Sequence, residues 1–185
     1  MWSFFGSIGA VVILVGIFYF VKQNRLSKLE EKYSNWVVAQ GKILPFSARF
    51  PLEAQYDSGD VPIPDATKIL RRELFVSVSD STTYLISASL YPSEIPGKEE
   101  ENLSVSLDGI LNAVPESQLV SSKYEVPFSG SNFLEYKIFS KETNTYYKGR
   151  LYLTKNALYQ IQVYYTEGNY DDDAYTYFAN SFSFE

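Results

Sequence analysis

Chemistry in this chain must come from carboxylates, amines, hydroxyls and phenols, because its 185 residues include no His and no Cys. That removes structural zinc, disulfides, thiol nucleophiles and His-dependent triads. Three acidic runs remain to be weighed as metal ligands. Asp57 and Asp60 flank Ser58-Gly59, a pattern that turns commonly use. Glu99-Glu100-Glu101 and Asp171-Asp172-Asp173 each precede a helical stripe, where acids complement the positive end of the helix and an Asp caps it. An EF-hand loop needs acids at alternating positions, a central Gly and a distant Glu, and none of that follows Asp171. No metal and no cofactor is therefore expected. The chain also lacks GxSxG, GxxxxGK[ST] and GxGxxG, so no catalytic residue is assigned and the chain is read as no enzyme.

Binding is the better-supported chemistry. The chain holds 16 Tyr, 13 Phe and 2 Trp, more aromatic surface than one core commonly needs, and exposed Tyr suits interfaces. Tyr146, Tyr152, Leu158 and Tyr164 are expected on strand faces opposite the main apolar stripe. Lys137, Lys148 and Arg150 are expected on adjacent strands beside Glu135, as a small basic patch or as cross-strand ion pairs. These seven residues form the expected partner surface. The formal charge is −6, and residues 43–185 carry 11 basic against 20 acidic side chains, a net of −9. A nucleic-acid partner is excluded on that balance, since phosphates require clustered Lys and Arg; a protein partner and a membrane are expected.

The elements that must position these side chains follow from hydrophobic period. Residues 2–21 are uncharged, and about 20 residues of helix span roughly 30 Å, the hydrocarbon thickness of a bilayer. Trp2 and Tyr19 lie near its two ends, as interfacial rings do, with Lys22 and Arg25 following. The expectation is a single-pass anchor over 1–22. A helical stalk over 23–41 follows, its face marked by Leu26, Leu29, Tyr33, Trp36 and Val37. A globular domain then occupies 42–185. The basic flank alone would keep that domain in the cytoplasm.

Within the domain, Phe46–Phe50 alternates as a short strand, and 57–65 reads as an exposed Pro/Gly-rich connection. Strands are predicted over Glu73–Ser79 and Thr82–Tyr91 around the turn Asp80-Ser81. Leu103, Leu107, Ile110, Leu111 and Val114 mark a helix that Pro115 ends. Gln118–Phe128, Phe133–Ser140, Tyr146–Thr154 and Ala157–Thr166 then form an antiparallel meander, because their links are too short for crossovers. A last helix begins after Asp171 and buries Ala174, Tyr175, Phe178, Ala179 and Phe182.

Several of these stretches carry a resemblance. Phe50-Pro51, the strand ending in Tyr91-Pro92, KGRLYL (Lys148–Leu153), LYQIQVYY (Leu158–Tyr165) and the terminal FANSFSF (Phe178–Phe184) occur in that order. Together they resemble the PsbP/Mog1-like family over about residues 42–185, and within it the small membrane-anchored bacterial relatives. The resemblance implies an α+β chain: an N-terminal transmembrane helix, then an α/β/α sandwich with a central antiparallel sheet. It also implies use for binding or assembly and a domain on the extracytoplasmic side, which is the side taken here over the cytoplasmic one. The absence of His and the acidic domain depart from members that bind through positively charged or His-containing contacts. The function expected is a non-catalytic, membrane-tethered accessory or assembly protein that binds another protein through its domain. The alternatives are a small-ligand or sensor module with an aromatic-lined pocket, or a structural anchor subunit of a larger membrane complex.

Overall fold

The computed structural model describes residues 27–62, 69–128 and 130–184. The chain divides into two units, Met1–Asn35 and Trp36–Glu185. In the first, residues 27–32 are helical, the Tyr33 amide donates to the Leu29 carbonyl at 2.9 Å, and the Lys32 ammonium lies 4.8 Å from the Tyr33 ring centroid. The helix does not run on to Val38. Val37 and Val38 are β-branched and pair as strand β1, Val37–Gln40.

The second unit contains two antiparallel sheets. The smaller has the order β1-β2-β10, with β2 at Phe46–Phe50 and β10 at Ser183–Phe184. The larger has seven strands in the order β3-β4-β5-β9-β8-β7-β6. Its members are β3 (Gln55–Pro62), β4 (Ile69–Ser79), β5 (Thr82–Leu90), β6 (Ser117–Glu125), β7 (Phe133–Ser140), β8 (Thr145–Leu153) and β9 (Ala157–Tyr165). Asp80 and Ser81 both take positive φ, 48° and 64°, the geometry of a two-residue hairpin whose twist matches its strands. Strands β6 to β9 form the expected meander. The stretch read as a loop from Asp57 contains β3, an exposed edge strand paired with β4.

One helix lies on each face of the large sheet. Helix α1, Glu99–Ala113, sets Leu103 and Leu107 against Leu134, Tyr136, Ile138 and Leu151, with Ile110, Leu111 and Val114 beside them. Helix α2, Asp172–Ser181, shares the other face with the small sheet. There Phe178 packs edge-on to Tyr84 and Phe50, and Phe46 to Phe75 and Tyr159. The Asp171 carboxylate accepts from the amides of Asp173 and Ala174, as an N-cap should.

Two expectations are corrected. The α+β class, a transmembrane helix followed by an α/β/α sandwich, gives way to a β-rich sandwich dominated by antiparallel sheet. Stretches that pattern as stalk, loop and helix tail are strands β1, β3 and β10. The anchor itself, 1–22 with Trp2, Tyr19 and Lys22, and Arg25 after it, lies outside the described residues. Among the described residues no helix is long and apolar enough to cross a membrane. The longer of the two domain helices has 15 residues, several of them acidic, too few to span a bilayer's hydrocarbon core. The single-pass membrane localisation is corrected on that finding.

A buried acid ties the two sheets together. Glu73, in the middle of β4, is 1% exposed. Its carboxylate accepts from the amides of Lys42 at 2.8 Å, Ile43 at 3.1 Å and Leu44 at 2.9 Å. A Cβ on Gly41 would collide with the Leu44 carbonyl and the Phe46 ring, so the loop closes this tightly only with glycine there. Glu73→Ala should therefore lower stability by about 3 kcal/mol, the cost of leaving buried donors unpaired. Glu73→Gln, which keeps one acceptor oxygen, should fall between. Urea unfolding checks this, and a loss under about 0.5 kcal/mol for Glu73→Ala would remove the carboxylate from its structural role.

Candidate functional site

Register decides which candidate residues meet. Lys137 pairs with Lys148, Glu135 with Arg150, Tyr146 with Tyr165 and Tyr152 with Tyr159. Directly opposed residues share a face, so Lys137, Lys148, Arg150, Tyr146 and Tyr152 all lie on the α2 face with the apolar stripe, not opposite it. Tyr164 and Leu158 lie on the α1 face. Leu158 packs beside the α1 core and lines, with Tyr91, Ile95 and Val105, a cavity of about 160 Å³. Tyr164 sits 4.9 Å from Tyr147, ring to ring. The expected surface is thus split between two covered faces.

On the α2 face the basic residues are threaded through tyrosines. The Lys148 ammonium donates to the Tyr170 hydroxyl at 2.8 Å and pairs with Asp172 at 3.0 Å, with the Tyr175 ring centroid 4.3 Å away. Tyr170 in turn donates to Asp172 at 2.7 Å. Arg150 donates to Asn180 at 2.9 Å, stands 3.9 Å from Glu135 and lies over Phe133. Glu135 accepts from the Tyr175 hydroxyl at 3.0 Å. Tyr152 is buried among Phe133, Phe182 and Phe184. Tyr165 stacks on both Tyr146 and Tyr170, with centroids 5.5 Å and 4.2 Å away. Helix α2 supplies all three α-helical partners, Asp172 and Tyr175 from its first turns and Asn180 from its last.

The α1 face holds a polar network inside an apolar layer. The Tyr136 hydroxyl bonds the Gln162 side-chain oxygen, and the Gln160 amide reaches both Gln162 and, at 3.3 Å, Tyr136. A Cβ on Gly149 would strike the Ile161 carbonyl and the Tyr136 hydroxyl, so this network also rests on one glycine. Its atoms satisfy one another, which is what buried polar groups need. Between β1, β2 and β10 lies a cleft of about 380 Å³, lined by Gln40, Ser47 and Ser183 with Phe46 and Phe184. Among the described residues no group of three or more acidic side chains converges as a metal site would require.

Sequence reasoning missed the exposed apolar residues along β6 and in the segment after it. Leu119, Val120, Val126 and Phe128 are all exposed, Val126 by 69% and Phe128 completely, at 110%. The signal was present in Val126-Pro127-Phe128, an apolar pair around a proline between a strand and a Gly/Ser turn. It also missed Tyr165, Tyr170 and Tyr175 as partners of the lysines, because they come from a strand end, a loop and a helix.

Among solved structures the chain is similar to the solution structure of cyanobacterial PsbP (CyanoP) from Synechocystis sp. PCC 6803. The identity is 13%, with 80% of this chain and 92% of that chain covered and a TM-score of 0.53. The fold is therefore PsbP-like. That similarity bears on the PsbP-like fold alone and shows neither a Mog1 likeness nor an anchor. No protein-family model matches the chain, and no curated protein does.

The tyrosine-rich sites give the fold a defined alkaline limit. Burial first, with Tyr147 beside Tyr164 and with Tyr146 and Asp172 beside Tyr165, pushes both phenols up to about 12. Burial, together with Asp172 and Glu135 respectively, raises Tyr170 and Tyr175 as well. An unfolded Tyr releases its proton near pH 10, so the unfolded chain binds fewer protons above that value. Stability is then complete below pH 10 and falls as pH rises toward 12. The expected slope reaches about 1.4 kcal/mol per pH unit for each such tyrosine. Denaturant melts at pH 9, 10 and 11 should show the decline. The double variant Tyr164→Phe/Tyr165→Phe should show a shallower one, and an unchanged slope would count against these burials.

Proposed function

We propose that this chain is a non-catalytic accessory domain that binds another protein, and that it does so through the β6 edge and the β6–β7 loop. The observation that carries the reading is the full exposure of Phe128, next to exposed Val126, with Leu119 and Val120 exposed further along the same edge strand. Burying one phenylalanine contributes about 1.5–3 kcal/mol, and an aromatic side chain in a partner's pocket is the usual anchor of an interface. The two faces of the large sheet are covered by α1 and by α2 with the small sheet, which leaves edges and loops for contact. The opposite edge is a poorer docking strand: β3 carries Asp57 and Asp60 outward and ends at Pro62, features that blunt an edge.

The non-catalytic part rests on composition, since the chain has no His, no Cys and no nucleophile motif. A PsbP-like fold and the binding or assembly use implied by the family resemblance agree with it. The Tyr and basic residues first expected to meet a partner, Tyr146, Tyr152, Lys148 and Arg150, spend their contacts within the α2 face.

A photo-crosslinking phenylalanine analogue at position 128, incorporated in the cells of origin, should give one discrete adduct of higher mass. The same analogue at Val105, exposed on α1, should give none. Phe128→Ser should abolish partner co-purification while changing stability by no more than about 0.5 kcal/mol, as surface substitutions do. Equal adducts from positions 105 and 128, or none from either, would defeat the assignment.

A further inference from the structure

Lys137 differs from its neighbours on the α2 face. Lys148 is neutralised by Asp172 and bonded to Tyr170, and Arg150 donates to Asn180 and stands 3.9 Å from Glu135, although its buried Nε has no hydrogen-bond partner. Lys137 makes no ion pair with any described residue; its ammonium lies 4.4 Å from the Tyr146 ring centroid and 5.9 Å from that of Tyr165. It also stands directly across from Lys148, and like charges so placed destabilise a sheet unless something compensates. The Tyr165 hydroxyl adds a second unmet need. Tyr165 is 3% exposed, and its oxygen is buried with no hydrogen-bond partner. A buried polar group without a partner is uncommon enough to require a reason.

The unmet groups of Lys137 and Tyr165 are donors: three ammonium N–H and one phenol O–H, held together by the stacked Tyr146 and Tyr165 rings. The nearby carboxylates are engaged elsewhere, Asp172 with Lys148 and Tyr170 and Glu135 with Tyr175. We propose that Lys137, Tyr146 and Tyr165 form a receptor for an oxyanion, a carboxylate or a phosphate group. The Lys137 ammonium and the Tyr165 hydroxyl donate to its oxygens, and the Tyr146 ring holds the lysine in place through its π face. An anion there answers both deficits at once: it takes the orphaned hydroxyl and it relieves the Lys137–Lys148 opposition. A neutral acceptor would do only the first. The site is independent of the β6 edge and stands whether or not that edge binds a protein.

The test uses the full chain labelled with nitrogen-15 and titrated at constant ionic strength with sodium acetate, inorganic phosphate or sodium chloride. Acetate, phosphate or both should shift the amides of Lys137, Tyr146 and Tyr165 along saturable curves, and chloride should not. The tighter of the two oxyanions identifies the source, acidic side chain or phosphate. Lys137→Met should weaken binding at least about tenfold, whereas Lys141→Met, in the adjoining turn, should leave it unchanged. Tyr165→Phe should weaken it about fivefold, as loss of one hydrogen bond does. In chloride the same variant should melt at or above the wild-type temperature, because it removes an unpartnered hydroxyl. The proposal is overturned if neither oxyanion gives a saturable shift or if Lys137→Met responds like wild type. A Tyr165→Phe variant that melts several degrees lower in chloride would overturn it too, since the hydroxyl would then already have a partner.

Discussion

A carboxylate in the middle of a strand governs how this protein closes. Glu73, Phe75 and Ser77 share the inward face of β4, and an ionised acid among apolar side chains is costly unless its oxygens accept hydrogen bonds. The amides of Lys42, Ile43 and Leu44 supply those bonds. Meeting that demand forces the chain into a tight loop at Gly41, and the loop sets where β2 begins. Strand β2 then carries β1 on one side and β10 on the other. Phe46, its first residue, lands between Phe75, Tyr159 and Phe182. The position of the whole small sheet over the large one thus follows from one electrostatic requirement.

The legible parts of the fold were those whose local period had one interpretation. The hairpin at Asp80-Ser81, helix α1, the meander and the Asp171 cap all emerged from alternation, helical spacing and capping chemistry. The illegible parts were those decided by a distant partner. Tyr33, Trp36 and Val37 satisfy helical spacing, yet Val37 and Val38 pair with Phe50 and Arg49, a choice visible only once β2 is placed. Asp57-Ser58-Gly59-Asp60 has turn composition, but β4 offers it an edge to pair with. Glu73 looks like any strand residue until the loop at 42–44 folds over it. The apolar run of 2–21 shows the limit from the other side, since a clear local pattern there suggested an anchor that no described helix matches.

Facial assignment held for Leu158 and Tyr164 and failed for Tyr146 and Tyr152, for a related reason. Alternation within β9 separates Tyr159 from Gln160 correctly, but it says nothing about which parity of β8 shares a face with which parity of β9. That depends on register, and register here pairs Tyr152 with Tyr159 and Tyr146 with Tyr165. One step of slippage would have sent both tyrosines to the α1 face. The consequence reaches the charges as well. The same register that buries Tyr152 sets Lys137 against Lys148 and Arg150 against Glu135, so one strand pair presents both a matched and a mismatched couple of ions.

The tyrosines explain how the mismatch persists. A lysine opposite another lysine, in a chain with a net charge of −6, has no shortage of acids that might have stood nearby. At Lys148 the fold supplies Asp172 together with the rings of Tyr170 and Tyr175, whereas at Lys137 it supplies the rings of Tyr146 and Tyr165. An aromatic face attracts a cation without neutralising it. A carboxylate beside Lys137 would have offset its charge; rings attract the ammonium and leave that charge without a counter-ion. The face thus holds one lysine against rings alone in a chain whose net charge is −6.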